Sequence, residues 1–364
     1  MWFFSGIVMM YVPFPSVPDE ERLKYMSTID AGAVTITPAT AVAQCGLEQI
    51  TGLRLISLNA RPAYVCAFSE PVLQVHYADD GARASPLRKD AIRHLIERES
   101  DQPIDVITQV DYDQWTVHQK FDAQRPLYRI ELADSERTHL YIAPRTGELV
   151  QRTTGSQRFW NYIGSVPHWI YPTVLRKHWA LWDAVVWWLS LFGILCAVIG
   201  VYLGVVHWIR VRRRLQTAIS PFRSWMKWHH ILGLFAGVIV ISWIVSGWLS
   251  MDHGRLFSMP NPTLGQVNAV RGGSFGEVSS NANIADLSKH PTAVEFRVHG
   301  FAGSPVIVGK NQQGTVVAPI LEPVRVADAV ADAFPEAIVE KWGVVPLDDR
   351  YTQLREGGLP PGTI

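Results

Sequence analysis

Six of the chain's 12 histidines stand at the ends of two long apolar stretches. His207 comes just before a basic segment, and His229 and His230 just after it. His168, His178 and His253 mark the opposite ends. Polar side chains at a membrane edge are costly, so they need a reason. One reason is haem, whose iron takes imidazole nitrogens as axial ligands. Two helices facing each other can supply one imidazole each, from opposite sides of the macrocycle. His178 and His207 are 29 residues apart (207 − 178), roughly 43 Å along a helix. His229 and His253 are 24 apart (253 − 229), roughly 36 Å. One macrocycle cannot use both ends, but two can form a path across a membrane. His229 and His230 are neighbours, so they point about 100° apart and at most one faces a given seam. The alternative for any single histidine is to snorkel or to bond to backbone. Gly233 and Gly237 form a G-x-x-x-G face. It serves either close helix packing or room for a macrocycle, and different faces can do both.

The elements that must position these rings are two membrane spans. Residues 181–206 carry one charge, Asp183, and residues 231–251 carry none. Each reaches the roughly 20 residues that cross a bilayer core. The segment between them holds Arg210, Arg212, Arg213, Arg214, Arg223 and Lys227. An excess of positive charge in a short loop puts that loop in the cytoplasm and both flanking segments on the other side. Trp179, Trp182, Trp208, Trp225 and Trp228 sit at the span ends, where aromatic belts belong. The formal net charge of zero excludes the chain as a whole as a nucleic-acid binder. Of three cysteines, Cys45 and Cys66 are 21 residues apart, a spacing that permits a disulfide without requiring one. Cys196 falls within a span and reads as a packing residue. There is no Gly-rich phosphate loop, nucleophile elbow, C-x-x-C or H-E-x-x-H. Nothing suggests a flavin or nicotinamide site, so electrons would come from a partner or a quinol.

Two regions repeat. Trp2-Phe-Phe-Ser5-Gly6 returns as Trp243-Ile-Val-Ser246-Gly247, an offset of 241 (243 − 2). Asp113-Gln-Trp-Thr resembles Asp349-Arg-Tyr-Thr, and Arg54 and Pro62 match Arg297 and Pro305. Matches in one order at similar offsets argue for a duplicated unit of helix, outer domain and helix. On that reading the chain starts inside a membrane helix and stops as a second hairpin is due. The first outer domain reads as mixed α and β. Helices are expected over 38–46 and 87–99, and strands over 53–58, 63–68 and 72–77, with an Asn-Ala-Arg-Pro turn after the first strand. A hairpin follows over 126–132 and 139–143, then a strand over 148–152. A helix is expected over 326–334. Asp113-Gln-Trp-Thr reads as a cap or turn plus an aromatic core plug.

Trp228-His-His-Ile-Leu-Gly and Trp243-Ile-Val-Ser-Gly resemble a transmembrane helix of PepSY-associated membrane proteins. Trp160…Pro167-His168-Trp169-Ile-Tyr171…Arg176…Trp182 resembles the entrance of their second helix, and Leu127…Arg145-Thr-Gly147-Glu-Leu-Val the end of a PepSY domain. The resemblance implies an α+β membrane protein, a duplicated unit of transmembrane helices plus PepSY-like α/β extracytoplasmic domains. Its parts are a partial transmembrane helix at 1–14, a first periplasmic domain at 15–165 and an interfacial segment at 166–180. Spans follow at 181–207 and 228–252 around a basic loop at 208–227, then a second, incomplete periplasmic domain at 253–364. It also implies one or two b-type haems, with His168, His207, His229 and His230 as axial ligand candidates. The implied function is reduction of ferric siderophores or other iron chelates in the periplasm, from the bacterial inner membrane. Electrons would come from a quinol or a cytoplasmic reductase. The rival expectations are a non-redox binding or inhibitory module, or an accessory protein of an iron transporter.

Overall fold

The computed structural model describes residues 2–215, 219–254, 261–314, 316–317 and 323–336. In chain order the helices and strands are α1 (Trp2–Tyr11), α2 (Asp19–Lys24), α3 (Pro38–Cys45), β1 (Ile50–Leu58), β2 (Arg61–Phe68), β3 (Leu73–Tyr77), α4 (Lys89–Glu99), β4 (Ile104–Val110), β5 (Leu127–Leu132), β6 (His139–Ile142), β7 (Leu149–Thr153), α5 (Gly155–Ile163), α6 (Ser165–His168), α7 (Thr173–Arg176), α8 (Trp179–Leu215), α9 (Ser224–Ser250), α10 (Leu264–Arg271), α11 (Phe275–Ser280), β8 (Glu295–Phe301), β9 (Ser304–Lys310), β10 (Val316–Val317) and α12 (Pro323–Ala333). They form two compact units, with boundaries at Thr173/Val174 and Asn261/Pro262.

In the larger unit, local chemistry starts several of the elements. Thr37 caps α3 by accepting from the Thr40 amide at 3.2 Å, and Pro38 fills the first helical position. Asn59 and Ala60 both take positive φ, 53° and 60°. They make a two-residue turn, so Arg61 and Pro62, expected in the turn, already belong to β2. A mirror-type turn of this kind matches the right-handed twist of the paired strands. Cys45 and Cys66 are joined as a disulfide that ties α3 to β2.

One sheet runs in the order β10-β9-β8-β1-β2-β3. Its centre is the antiparallel β1–β8 pair, in which Arg54 lies directly opposite Arg297. The sheet is covered on both sides. Val42, Leu53, Leu55, Tyr64 and Phe296 fill one core, and Leu23, Ile56, Leu58, Val65 and Val294 fill another. A second sheet, β4-β5-β6-β7, packs Ile107, Ile130, Leu140 and Leu149 against Ile92 and Ile96 of α4. Strand β4 was not anticipated from the sequence. It is an edge strand with Ile107 as its one buried residue, so it lacks the alternation that marks a strand. Asp113 acts as a turn, its carboxylate accepting from the Trp115 amide at 3.2 Å, while Trp115 is buried against Phe14 and Tyr162.

A buried ion network joins both sheets. Arg54 donates to both carboxylate oxygens of Glu148, at 2.8 and 2.9 Å. Arg22 donates to Glu148 at 2.7 Å and to Glu295 at 2.6 Å, and Arg297 also pairs with Glu295. Burial alone would raise both carboxyls, but the Arg54 and Arg22 guanidiniums outweigh it and hold them below the usual range.

The second unit holds α8 and α9, both long and apolar enough to cross a membrane. α8 runs on through Arg210, Arg212 and Arg213, where a loop was expected. Arginine is a good helix former, so nothing stops the helix when its apolar stretch ends. α9 likewise begins at Ser224 rather than at residue 228. Expected α12 is present, whereas Asp349-Arg-Tyr-Thr lies outside the described residues.

Candidate functional site

Three of the four candidate histidines lie at the basic end of the α8–α9 hairpin, and Phe222 brings two of them, His207 and His230, to one place. The His207 Nδ1 lies 2.7 Å from the Leu203 carbonyl of its own helix. A carbonyl only accepts, so Nδ1 carries the proton and Nε2 is left with its lone pair. That is the tautomer a metal-ligating imidazole needs. Gly193, Gly200 and His207 recur at seven-residue spacing, hence on one face of α8. A Cβ at either glycine would meet nothing within 4 Å, so this face is open.

His230 is spent differently. Its Nε2 donates across the seam to the Gly204 carbonyl at 2.9 Å, and its buried Nδ1 has no partner. Phe222 packs against both His207 and His230, with ring centroids at 5.6 and 5.5 Å. His229 is exposed and turned away, as its adjacency to His230 requires. The two glycines of the G-x-x-x-G face part company. A Cβ at Gly237 would sit 2.7 Å from Val201 Cγ2, so that glycine permits close helix packing, while Gly233 looks onto open space.

At the other end, His253 and Asp183 form a pair that sequence reasoning missed. His253 Nε2 lies 2.7 Å from Asp183 Oδ2, and the ring stacks on Trp187 at 5.4 Å and 9°. Trp187 in turn packs on Trp248. The lone acid of the span and a histidine beyond the next span were visible separately. His178 is exposed beside the start of α8.

His168 belongs to the larger unit, at the end of α6. Ser5 Oγ lies 3.1 Å from its Nδ1, and Gly6 leaves room for the ring, since a Cβ there would be 3.2 Å from His168 Cε1. The Ser-Gly of the first repeated phrase thus seats a candidate histidine. In the other copy Ser246 bonds to the Trp243 carbonyl of its own helix and Gly247 meets nothing. Among the described residues, no three His, Cys, Asp or Glu side chains gather as a bare-ion site would require. A haem asks the protein for fewer ligands than that.

The family described as the PepSY-associated TM region matches residues 65–344, well over half of the chain. The chain belongs to this family. No curated protein and no solved structure matches it. Membership in the PepSY-associated TM family agrees with two candidate spans in one chain and with the mixed helix-and-sheet fold of the larger unit.

Proposed function

We propose that this PepSY-associated protein is a haem-carrying oxidoreductase of the inner membrane that passes electrons across it to ferric chelates in the periplasm, as in siderophore iron release. The observation that carries this is His207. Its Nδ1–H is fixed by the Leu203 carbonyl, which presents Nε2 beside the open Gly193–Gly200 face. Haem, when bound, supplies a reversible one-electron couple. His207 is the first ligand choice, and exposed His229 can turn an imidazole towards the same end of the hairpin. His230, with its Nε2–H given to Gly204, acts instead to fasten α8 to α9. His168, seated by Ser5 and Gly6, is the candidate in the larger unit. Reduction releases iron because ferrous iron binds hard oxygen ligands less tightly than ferric iron. The electron donor on this reading is a quinol or a cytoplasmic reductase.

Sidedness follows from two supports. Arg210, Arg212 and Arg213 favour the cytoplasm for the α8–α9 turn. The Cys45–Cys66 disulfide favours an oxidising compartment for the larger unit. A duplicated architecture is part of the same proposal. Helix α3 followed by β1-β2-β3 is mirrored by α11 followed by β8-β9-β10 about the Arg54–Arg297 pairing, the very residues that the sequence repeat aligns.

The test is an optical spectrum of the purified full-length chain after expression with ample haem. A Soret band that weakens in His207→Ala is expected. A protein without any Soret band would overturn the redox reading and favour a non-redox binding module or a transporter accessory protein.

A further inference from the structure

The larger unit contains a pocket of about 600 Å³ whose walls come from two distant parts of the chain. One wall is the loop after α3 together with the β2–β3 turn, including Leu47, Phe68 and Val72. The other is α10 and the start of α11, including Leu264, Val267 and Phe275. Its volume falls in the range of small-molecule sites. The walls are fixed in place. The Cys45–Cys66 disulfide ties the helix that leads into the first loop to the strand that leads into the turn. Gly276 of α11 packs so tightly on the Leu47 carbonyl that any Cβ would collide with it. Neither wall can withdraw without breaking one of these contacts.

Arg271 is the cation in this pocket. Its stem lies across Gly300 of β8, where a Cβ would collide with Arg271 Cγ. Its guanidinium stacks over Phe275 at 5.3 Å and donates to Asn268 Oδ1 at 3.0 Å. No carboxylate lies within ion-pair distance of it among the described residues. Burial pulls its pKa down without a counter-charge to restore it. Arg54, by contrast, has a carboxylate partner in Glu148. A guanidinium held by packing yet left without an anion is suited to receive one from outside. Glu48 and Glu70 also line the pocket, both exposed at its rim. They disfavour any ligand that brings a second negative charge.

We propose that this pocket binds a small organic monocarboxylate with an apolar body, its carboxylate on Arg271 and its body between Phe275, Val267 and Leu264. This site is independent of the histidines and of the redox reading. The test uses the full chain in lipid nanodiscs, with empty nanodiscs as reference, and isothermal titration with phenylacetate as the probe. Saturable binding is expected, weakened at least tenfold in Arg271→Gln and only partly in Arg271→Lys. Phenylsuccinate, a dianion, should bind more weakly than phenylacetate, and Glu48→Gln/Glu70→Gln should narrow that gap. Leu264 is exposed, so Leu264→Asp should keep the fold and still weaken binding at least tenfold. A wild type that does not saturate, or an Arg271→Gln and a Leu264→Asp protein that both bind phenylacetate as wild type does, would overturn the proposal. The second result would leave Arg271 a packing role against Phe275, Asn268 and Gly300.

Discussion

Glu148 is one of two buried carboxylates, with Glu295, that hold the arginines of the larger unit's ion network. It is almost wholly buried and receives Arg54 through both oxygens and Arg22 through one. Glu148→Gln would leave two guanidiniums short of counter-charge inside the fold. Removing one partner of a buried pair costs about 3 kcal/mol or more. Urea unfolding in detergent, followed by circular dichroism, should show a loss of that order at neutral pH. The sign of the pH effect follows from the depressed carboxyl. The folded form holds Glu148 below its unfolded value, so the contribution is complete above about pH 4.5 and fades as pH falls further. The gap between wild type and variant should therefore shrink in acid. At this scale the sequence was partly legible. His207 and His230 stood out because they interrupt apolar runs. The Asp183–His253 pair stayed hidden because pairing needs the hairpin register. Asp183 near the start of α8 and His253 just beyond α9 are 70 residues apart in sequence, so nothing local joins them.

Among the elements, the α8–α9 hairpin tests how helices meet in a membrane. Small residues allow close approach there because lipid gives no hydrophobic drive to associate. Gly237 sits against Val201, and Gly204 against Leu234 and His230. Gly237→Leu should therefore force the helices apart and break the His230–Gly204 hydrogen bond, lowering the thermal midpoint in detergent. Gly247→Leu, at a glycine with nothing around it, should leave the midpoint within a degree or two, because it adds surface without a clash. The spans were legible because length without charge is a strong signal. Their ends were not, since arginines that end hydrophobicity do not end a helix. Strand β4 escaped for the opposite reason: its neighbours in the sheet, rather than its own pattern, make it a strand.

For the whole molecule, the prediction concerns sidedness. A reporter active only in the cytoplasm, inserted after Ser220 in the α8–α9 turn, should work. A reporter active only after export should work when inserted at the exposed Asp101. The reverse pattern would invert the proposed orientation. The fold class was readable from the strand–helix pattern and the spans. The joining of first and last parts of the chain in one sheet was not, because no local pattern records which distant strand a strand will choose. That joining has a consequence for how the protein is made. Arg54 in β1 and Glu295 in β8 meet across 241 residues of chain, and α8 and α9 are threaded between them. At about 5–20 residues per second, β1 waits on the order of tens of seconds for its neighbour. During that interval its edge is bare, and Arg22 and Arg54 have Glu148 but not yet Glu295. The membrane hairpin must be inserted before the sheet can close, so assembly of the larger unit is timed by the membrane rather than by its own sequence of strands.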